Sequence, residues 1–115
     1  MPTPSKEFHD PTAEANEYEW EQAGAYSDGV SEMILHEEPD GSHTRFLKLE
    51  PGTESESVIT HEFYEEAYVL HGELIDKRLD ESFTAGMYAY RKPGMEHGPY
   101  RSPNGCLTFE VRYYE

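Results

Sequence analysis

The stretch that decides the fold runs from Thr60 to Gly72 and reads THEFYEEAYVLHG. It is typical of a strand, a tight turn and a second strand. His61 and Glu65 lie four positions apart across this turn, where both side chains could reach one metal ion. A second stretch, KPGMEH at 92–97, ends in another imidazole. We therefore predict His61, Glu65 and His97 as the ligands of one metal site.

The rest of the chain from Tyr18 onward alternates short aromatic or β-branched runs with turn signals. The predicted strands are 32–36, 44–49, 57–62, 66–76, 86–92 and 106–113, with a turn-prone stretch at 78–82. No stretch shows helical periodicity with caps at both ends. Short strands separated by turn signals about every 8–12 residues indicate an all-β sandwich or barrel.

The last predicted strand alternates cleanly between two faces. Leu107, Phe109, Val111 and Tyr113 share one face, and Thr108, Glu110 and Arg112 share the other. This pattern is typical of a strand with one face on a core. Cys106, at the start of this strand, is the single cysteine of the chain, so no internal disulfide can form.

The domain organisation follows from length and proline content. At 115 residues the chain supports one domain with a single core. Residues 1–17 contain three prolines among small and charged residues and show no apolar periodicity. We predict that residues 1–17 are a flexible N-terminal arm and that residues 18–115 are the single domain.

The net charge of −15, from 24 acidic and nine basic residues, excludes several partners. An acidic surface repels the phosphates of nucleic acids and anionic lipids, so we expect no binding to nucleic acid or membrane. No apolar run approaches the roughly 20 residues of a membrane helix, and no signal-peptide pattern opens the chain. We therefore expect a soluble, cytoplasmic protein.

The predicted ligands define the metal chemistry. Two imidazoles and one carboxylate suit Fe, Zn, Mn or Ni and leave positions open for water, oxygen or substrate. Taken singly, a strand histidine is more often a hydrogen-bonded structural residue, and an acid is more often solvated. Glu66 should point away from Glu65, although a register shift of one residue would exchange the two.

Three further residues are candidates for substrate binding. Arg45 shares a strand face with Leu47 and Leu49, and inside a barrel it could pair with a substrate carboxylate. The alternative for Arg45 is a position at the barrel rim with its charge in water. Tyr88 and Tyr90 are strand aromatics that could place a hydroxyl near the metal, although most such residues simply pack.

Two motifs in the chain resemble those of the cupin superfamily. For the first family motif, G(x)5HxH(x)3–4E(x)6G, the chain offers Gly52, Ile59, His61, Glu65 and Gly72, and the interval from Glu65 to Gly72 matches that of the family. For the second, G(x)5PxG(x)2H(x)3N, the chain offers Gly86, Gly94 and His97, with Pro93 beside the expected proline position and Arg101 at the asparagine position. The stretches EEAYVLHG at 65–72 and GMEHGP at 94–99 look most like the cupin domains of ChrR-type anti-sigma factors and of dioxygenases that cleave acetylacetone or dihydroxyacetophenone.

The resemblance implies a double-stranded β-helix, or jelly-roll barrel, with a metal in its mouth and often a homodimeric assembly. Two departures stand out. Ile59 occupies the position of the first family histidine, and Phe63 with Tyr64 stand where the ChrR-like pattern prefers glycines. The sequence therefore predicts a three-ligand site rather than the usual four.

Two functions fit these features. The first is a mononuclear metal-dependent enzyme of the dioxygenase, isomerase, cyclase or lyase type, acting on a small carbonyl, enol or carboxylate compound. The alternative is a non-catalytic module that senses a ligand or metal, or a cupin that has lost its metal. Fold alone does not choose between them.

Overall fold

β-Strands account for nearly all regular structure in residues 5–13, 18–23 and 28–115, the part of the chain that the computed structural model describes. Nine strands occur there: β1 (Glu21–Gln22), β2 (Val30–Glu37), β3 (His43–Leu49), β4 (Thr53–Glu54), β5 (Tyr64–Asp76), β6 (Glu81–Thr84), β7 (Tyr88–Arg91), β8 (Tyr100–Ser102) and β9 (Cys106–Tyr113). The all-β prediction is confirmed. Within the same residues, no helix is long and apolar enough to cross a membrane.

The long strand β5 organises the antiparallel sheet. The strands follow the order β1-β2-β3-β9-β5-β8-β4, and β6 and β7 also pair with β5. The first half of β5 lies between β7 and β9, whereas residues 73–76 pair with β6 and residues 75–76 also pair with β8. A register shift between Val69 and His71 separates the halves. Because one strand serves both groups of neighbours, the sheet curls into a barrel.

The barrel interior has an apolar part and a charged part. Val30, Leu47, Leu49 and Val69 form a buried apolar cluster with Cys106, whose thiol pKa is raised to about 11 by burial. The neighbouring rows of inward residues carry charge: Arg45 is opposite Glu110, and Glu65 lies between Arg91 and Arg112. Charged side chains are almost never buried unless they are paired, so the charged residues in these rows need ion-pair partners.

The orientation of β9 corrects the simplest interpretation of its alternation. The polar residues Thr108 and Glu110 are 3% and 5% exposed, whereas Phe109 and its apolar neighbours are only half-buried on the other face. Phe109 makes an edge-to-face contact with Phe46 there. The polar face can point inward because Arg45 neutralises Glu110, and the carboxylate of Glu65 accepts a hydrogen bond from Arg112.

One predicted strand and one predicted turn need correction. Residues 57–62 form no strand; their only bridge joins Ile59 to His97. The predicted turn at 78–82 is a turn only as far as Asp80, after which β6 begins at Glu81. The predicted strands at 44–49, 66–76 and 106–113 fall within or coincide with β3, β5 and β9.

The predicted N-terminal arm lies partly outside the described residues, which omit 1–4 and 14–17. In the described part, the Lys6 amino group donates hydrogen bonds to the Leu35 carbonyl on β2 and to the Tyr18 hydroxyl. The His9 ring stacks on the Tyr18 ring with centroids 5.6 Å apart. Lys6 therefore attaches this part of the arm to β2, while residues 5–10 stay exposed.

Gly72 lies where β5 closely approaches the start of β9. Its φ is +82°, and a Cβ at this position would lie 2.1 Å from the carbonyl oxygen of Gly105. Gly94 has a similar φ of +86° but nothing within 4 Å of the same position. We predict that Gly94→Ala lowers the free energy of unfolding by about 1–2 kcal/mol through its left-handed backbone alone.

Gly72→Ala should lower the free energy of unfolding by about 1–3 kcal/mol more, because the added methyl group also overpacks the strand contact. Urea unfolding of both variants measures the difference. Equal losses for the two variants would show that β5 and β9 are not in close contact at Gly72.

Candidate metal centre

Three potential ligand atoms converge beside β5. His61 lies in the loop before β5, Glu65 is the second residue of β5, and His97 lies between β7 and β8. Nε2 of His61 is 3.2 Å from Nε2 of His97 and 3.7 Å from Oε1 of Glu65. All three ligand atoms lie within 4.8 Å of one another. The structure thus brings together the three residues that the sequence singled out.

Backbone pairing holds the two histidine loops in register. The Ile59 amide donates to the His97 carbonyl at 2.7 Å, and the His97 amide donates back to the Ile59 carbonyl at 3.0 Å. The Gly94 amide donates to the His61 carbonyl at 3.0 Å. Ile59, at the family histidine position, therefore retains a role in the backbone while its side chain lines the barrel cavity and offers no ligand atom.

The outer nitrogen of each ring has a hydrogen-bond partner that orients it. Nδ1 of His61 is 3.2 Å from the Phe63 carbonyl oxygen, which can only accept, so this nitrogen carries the proton. Nδ1 of His97 is 3.2 Å from the Tyr100 hydroxyl. The His61 ring also stacks on the Phe63 ring with centroids 3.9 Å apart. Such partners typically fix the orientation and tautomer of metal-binding histidines.

The two imidazole nitrogens pass a simple geometric test for binding one metal ion. Two nitrogens bound at about 2.1 Å to one ion lie about 3.0–3.4 Å apart when the angle between them is roughly 90–109°. The observed Nε2–Nε2 distance of 3.2 Å falls in this interval. Imidazole nitrogen and carboxylate oxygen are also the ligands that first-row divalent metals accept. The residues present therefore fit a divalent metal.

Two arginines bracket the carboxylate of Glu65. Nη1 of Arg91 donates to Oε1 at 2.7 Å, and Nε of Arg112 donates to Oε2 at 2.6 Å. Glu65 is 1% exposed, and its two partners come from the strands on either side of β5. Because a lone buried carboxylate would be very unfavourable, this clamp is what allows Glu65 to stay ionised inside the barrel.

The protonation states of the three residues suit metal binding. Burial opposes ionisation of Glu65, but the charges of Arg112 and Arg91 outweigh it and hold the carboxyl pKa well below its usual range. Burial lowers the pKa of His97 to about 4, and Arg91 acts in the same direction. Burial also lowers the pKa of His61, against the opposing charge of Glu65. All three groups are therefore deprotonated at neutral pH, as metal ligation requires.

A cavity of about 560 Å³ opens beside the three ligands. Most of its wall is apolar, from residues including Leu47, Leu49 and Val69. Charged and polar residues also line it, including Glu65, Asp76, Arg78, Arg91, His97, Tyr100 and Glu110. A largely apolar cavity of roughly 300–1,000 Å³ with a few polar groups is typical of a small-molecule site.

The candidate substrate residue Arg45 lies inside the barrel, but its guanidinium is engaged by the protein. Its Nε and Nη2 both donate to Oε1 of Glu110, and its Nη1 donates to Glu32 at 2.8 Å. Arg45 is 2% exposed, which corrects the rim interpretation. The side chain that reaches the cavity from this network is Glu110, whose Oε2 also accepts a hydrogen bond from Thr108.

Tyr88 and Tyr90 lie on the outer face of β7 and are 59% and 44% exposed. The Tyr88 hydroxyl donates to Glu66, which points outward, although Tyr88 also borders the cavity. The Tyr90 ring stacks on Tyr64 with centroids 6.5 Å apart. The structure therefore places neither tyrosine hydroxyl beside the three ligands.

The polar residues that sequence reasoning missed are Arg91, Tyr100, Glu110 and Arg112. Nη2 of Arg91 donates to the Tyr100 hydroxyl at 2.9 Å, and burial raises the pKa of Tyr100 to about 12. A signal for Arg91 was available, since strict alternation along β7 puts Arg91 on the face opposite Tyr88 and Tyr90. Small residues on that inward face, Ala67 and Ala89, are paired across β5 and β7.

Comparison with known proteins decides the family. The sequence model of the ChrR cupin-like domain matches residues 8–113. The chain belongs to the ChrR cupin-like domain family. The predicted cupin barrel is therefore confirmed. No curated protein sequence matches this cupin.

Several solved structures share the fold of this chain. The polyketide cyclase RemF from Streptomyces resistomycificus has a TM-score of 0.75 and 20% identity, over 97% of this chain and 81% of that one. An acetylacetone dioxygenase from Acinetobacter johnsonii has a TM-score of 0.71 and 18% identity, over 96% of this chain and 76% of that one. A chain of the Rhodobacter sphaeroides complex of SigE with the anti-sigma ChrR has a TM-score of 0.61 and 20% identity, over 80% of this chain and 46% of that one. This cupin thus spans less than half of that last chain.

The low pKa of His97 predicts how stability depends on pH. Between pH 6.5 and 4, His97 takes up a proton more readily in the unfolded chain than in the folded one. The free energy of unfolding should therefore fall as pH decreases through this window, with His97 contributing up to about 3 kcal/mol of the change. Urea unfolding at several pH values, with a chelator present, measures the slope.

His97→Gln should reduce this slope, because glutamine does not titrate. His71→Gln replaces an exposed histidine on β5 and is the control for His97→Gln. It should retain the wild-type dependence of stability on pH. A His97→Gln variant with the wild-type slope would contradict the assignment of a buried neutral imidazole.

Proposed function

We propose that this cupin is a mononuclear metal-dependent enzyme that acts on a small carbonyl, enol or carboxylate compound. The observation that carries the proposal is the convergence of His61, Glu65 and His97 in an orientation suited to one ion, with Glu65 and His97 on the wall of an apolar cavity. When bound, Fe, Zn, Mn or Ni would act as a Lewis acid toward an oxygen of the substrate.

The residues around the ligands supply binding and orientation. Apolar walls of the cavity would exclude water from the body of a small substrate. The Arg91 guanidinium, Tyr100 hydroxyl and Glu110 carboxylate reach the same cavity and offer hydrogen bonds to polar substrate groups. Tyr100 also contacts both His97 and Arg91, so it would hold the imidazole in place.

The reaction type is a proposal drawn from the site and its relatives together. Acetylacetone cleavage by the Acinetobacter johnsonii enzyme and cyclisation by RemF are activities of those proteins. Oxygenative cleavage, cyclisation, isomerisation and lyase chemistry are each compatible with a metal that has open positions and with a carbonyl or enol substrate. A homodimeric state and a cytoplasmic location remain predictions from the sequence.

One observation favours a second function, a ligand-sensing module without catalysis. Ile59 replaces an expected ligand, and the two arginines already satisfy the charge of Glu65. A barrel of this kind could bind a small molecule without metal. A thermal-shift screen would reveal stabilising ligands, and chromatography after incubation distinguishes the functions: unchanged ligand supports sensing, and a transformed product supports catalysis.

Metal content tests the primary proposal directly. We predict about one equivalent of Fe, Zn, Mn or Ni in the purified protein or after loading. His61→Ala and His97→Ala should each weaken binding at least 10–100-fold, because removing a ligand should cost no less than removing its supporting hydrogen bond.

His43→Ala is the control, since the His43 ring lies on the surface and hydrogen-bonds the Gly41 carbonyl. Elemental analysis and competition with a chelator give the stoichiometry and affinity. A wild-type protein that carries no metal under any loading condition would disprove the proposal.

A further inference from the structure

One oxygen of Glu65 has two competing uses. Oε1 is the carboxylate atom that faces Nε2 of His61 at 3.7 Å, where a metal would be shared with the imidazoles. The same Oε1 accepts a hydrogen bond from Nη1 of Arg91 at 2.7 Å. Oε2 faces the other way and accepts from Arg112. A metal ion at this site would therefore compete with Arg91 for Oε1 of Glu65.

The two arginines are not equivalent toward the cavity. Arg91 is among the residues that line it, and its Nη2 donates to the Tyr100 hydroxyl, which also lines it. Arg112 is absent from the lining, and its guanidinium lies 4.6 Å from the centre of the Phe63 ring. A molecule that enters the cavity can therefore reach Arg91 but not Arg112.

Electrostatics links the metal to whatever else occupies the cavity. Arg91 and Arg112 already lie against the carboxylate of Glu65, and a divalent ion at the same carboxylate would place further positive charge beside Arg91. Charges close together in a buried site interact strongly, because water screens them poorly. An anion placed on Arg91 would offset this repulsion, and it would draw the guanidinium away from Oε1 of Glu65.

We propose that Arg91 couples metal binding to the binding of an anionic ligand. A carboxylate or enolate head group in the cavity pairs with the Arg91 guanidinium, and Oε1 of Glu65 then becomes available to the metal. Each of the two ligands raises the affinity for the other, as linkage requires. The inference rests on the proposed metal site, and it makes Arg91 a positioning residue that selects anionic substrates.

The first test measures Co²⁺ affinity without any anionic ligand, from the visible absorption of bound Co²⁺ and by competition with a chelator. Arg91→Gln removes the charge but keeps an amide that can donate to Tyr100 or Glu65. We expect it to bind Co²⁺ at least about 5-fold more tightly than the wild type, the lower end of typical coupling between sites. Arg101→Gln replaces an exposed arginine on β8 and is the matched control, so it should retain the wild-type affinity for Co²⁺.

The second test adds benzoate or benzamide, which share an apolar ring but differ in charge. Benzoate should raise the Co²⁺ affinity of the wild type by about 5–150-fold, after correction for its association with Co²⁺ in buffer, and benzamide should raise it far less. In Arg91→Gln the advantage of benzoate over benzamide should disappear. This comparison in the wild type remains decisive even if Arg91→Gln does not fold.

The outcomes separate this inference from the proposed function. If neither wild type nor Arg91→Gln binds Co²⁺, the metal site itself is disproved and the inference falls with it. If the wild type binds Co²⁺ but benzoate and benzamide act alike, the metal site stands and the coupling is wrong. An advantage of benzoate that persists unchanged in Arg91→Gln would also overturn the role of Arg91.

Discussion

A buried carboxylate between two guanidinium groups joins the three central strands of the barrel to its candidate metal centre. Glu65 on β5 accepts hydrogen bonds from Arg91 on β7 and Arg112 on β9, in one row across the sheet. Removing one partner of such a buried pair typically costs about 3–5 kcal/mol, because the remaining charge is left uncompensated. The interaction thus constrains the strand register and fixes the position of the carboxylate oxygen in the candidate metal centre.

The rest of the interior is arranged around this row. On one side, Ala67 and Ala89 are paired on the inward face and leave space for the cavity. The row that contains Ala67 and Ala89 also contains a second ion pair, in which Arg45 binds Glu110. The apolar cluster fills the other part of the barrel. A site that is charged at one end and apolar along its walls suits a ligand with a polar head and an apolar body.

Much of the fold and the three candidate ligands could be predicted from the sequence, because turn signals and motif spacing are local. His61, Glu65 and His97 were singled out in this way and converge in the structure, and the predicted strand 106–113 coincides with β9. Alternation alone could not say which face of β9 points inward. The hydrophobic rule favours the face of Phe109, whereas the structure buries Thr108 and Glu110, since their partners lie on strands far away in the sequence.

The same limit explains the misplaced substrate residues. Arg45 and Arg91 are both inward arginines, and only their long-range partners distinguish them: Arg45 is held by Glu110 and Glu32, whereas Arg91 reaches the cavity. Tyr88 and Tyr90 stand out in the sequence as aromatic residues, yet their strand alternates in the opposite phase. Pairing between distant strands decides the roles of Arg45 and Arg91, whereas alternation along β7 already separates Arg91 from the two tyrosines.

Anomalous diffraction from crystals loaded with Co²⁺, collected on both sides of the cobalt absorption edge, tests the central claim most directly. A single cobalt peak should lie within bonding distance of Nε2 of His61, Nε2 of His97 and Oε1 of Glu65, with Oε2 still bound by Arg112. A crystal that binds cobalt elsewhere, or that retains the Arg91 contact to Glu65 with no peak between the histidines, would contradict a metal centre built on the clamped carboxylate.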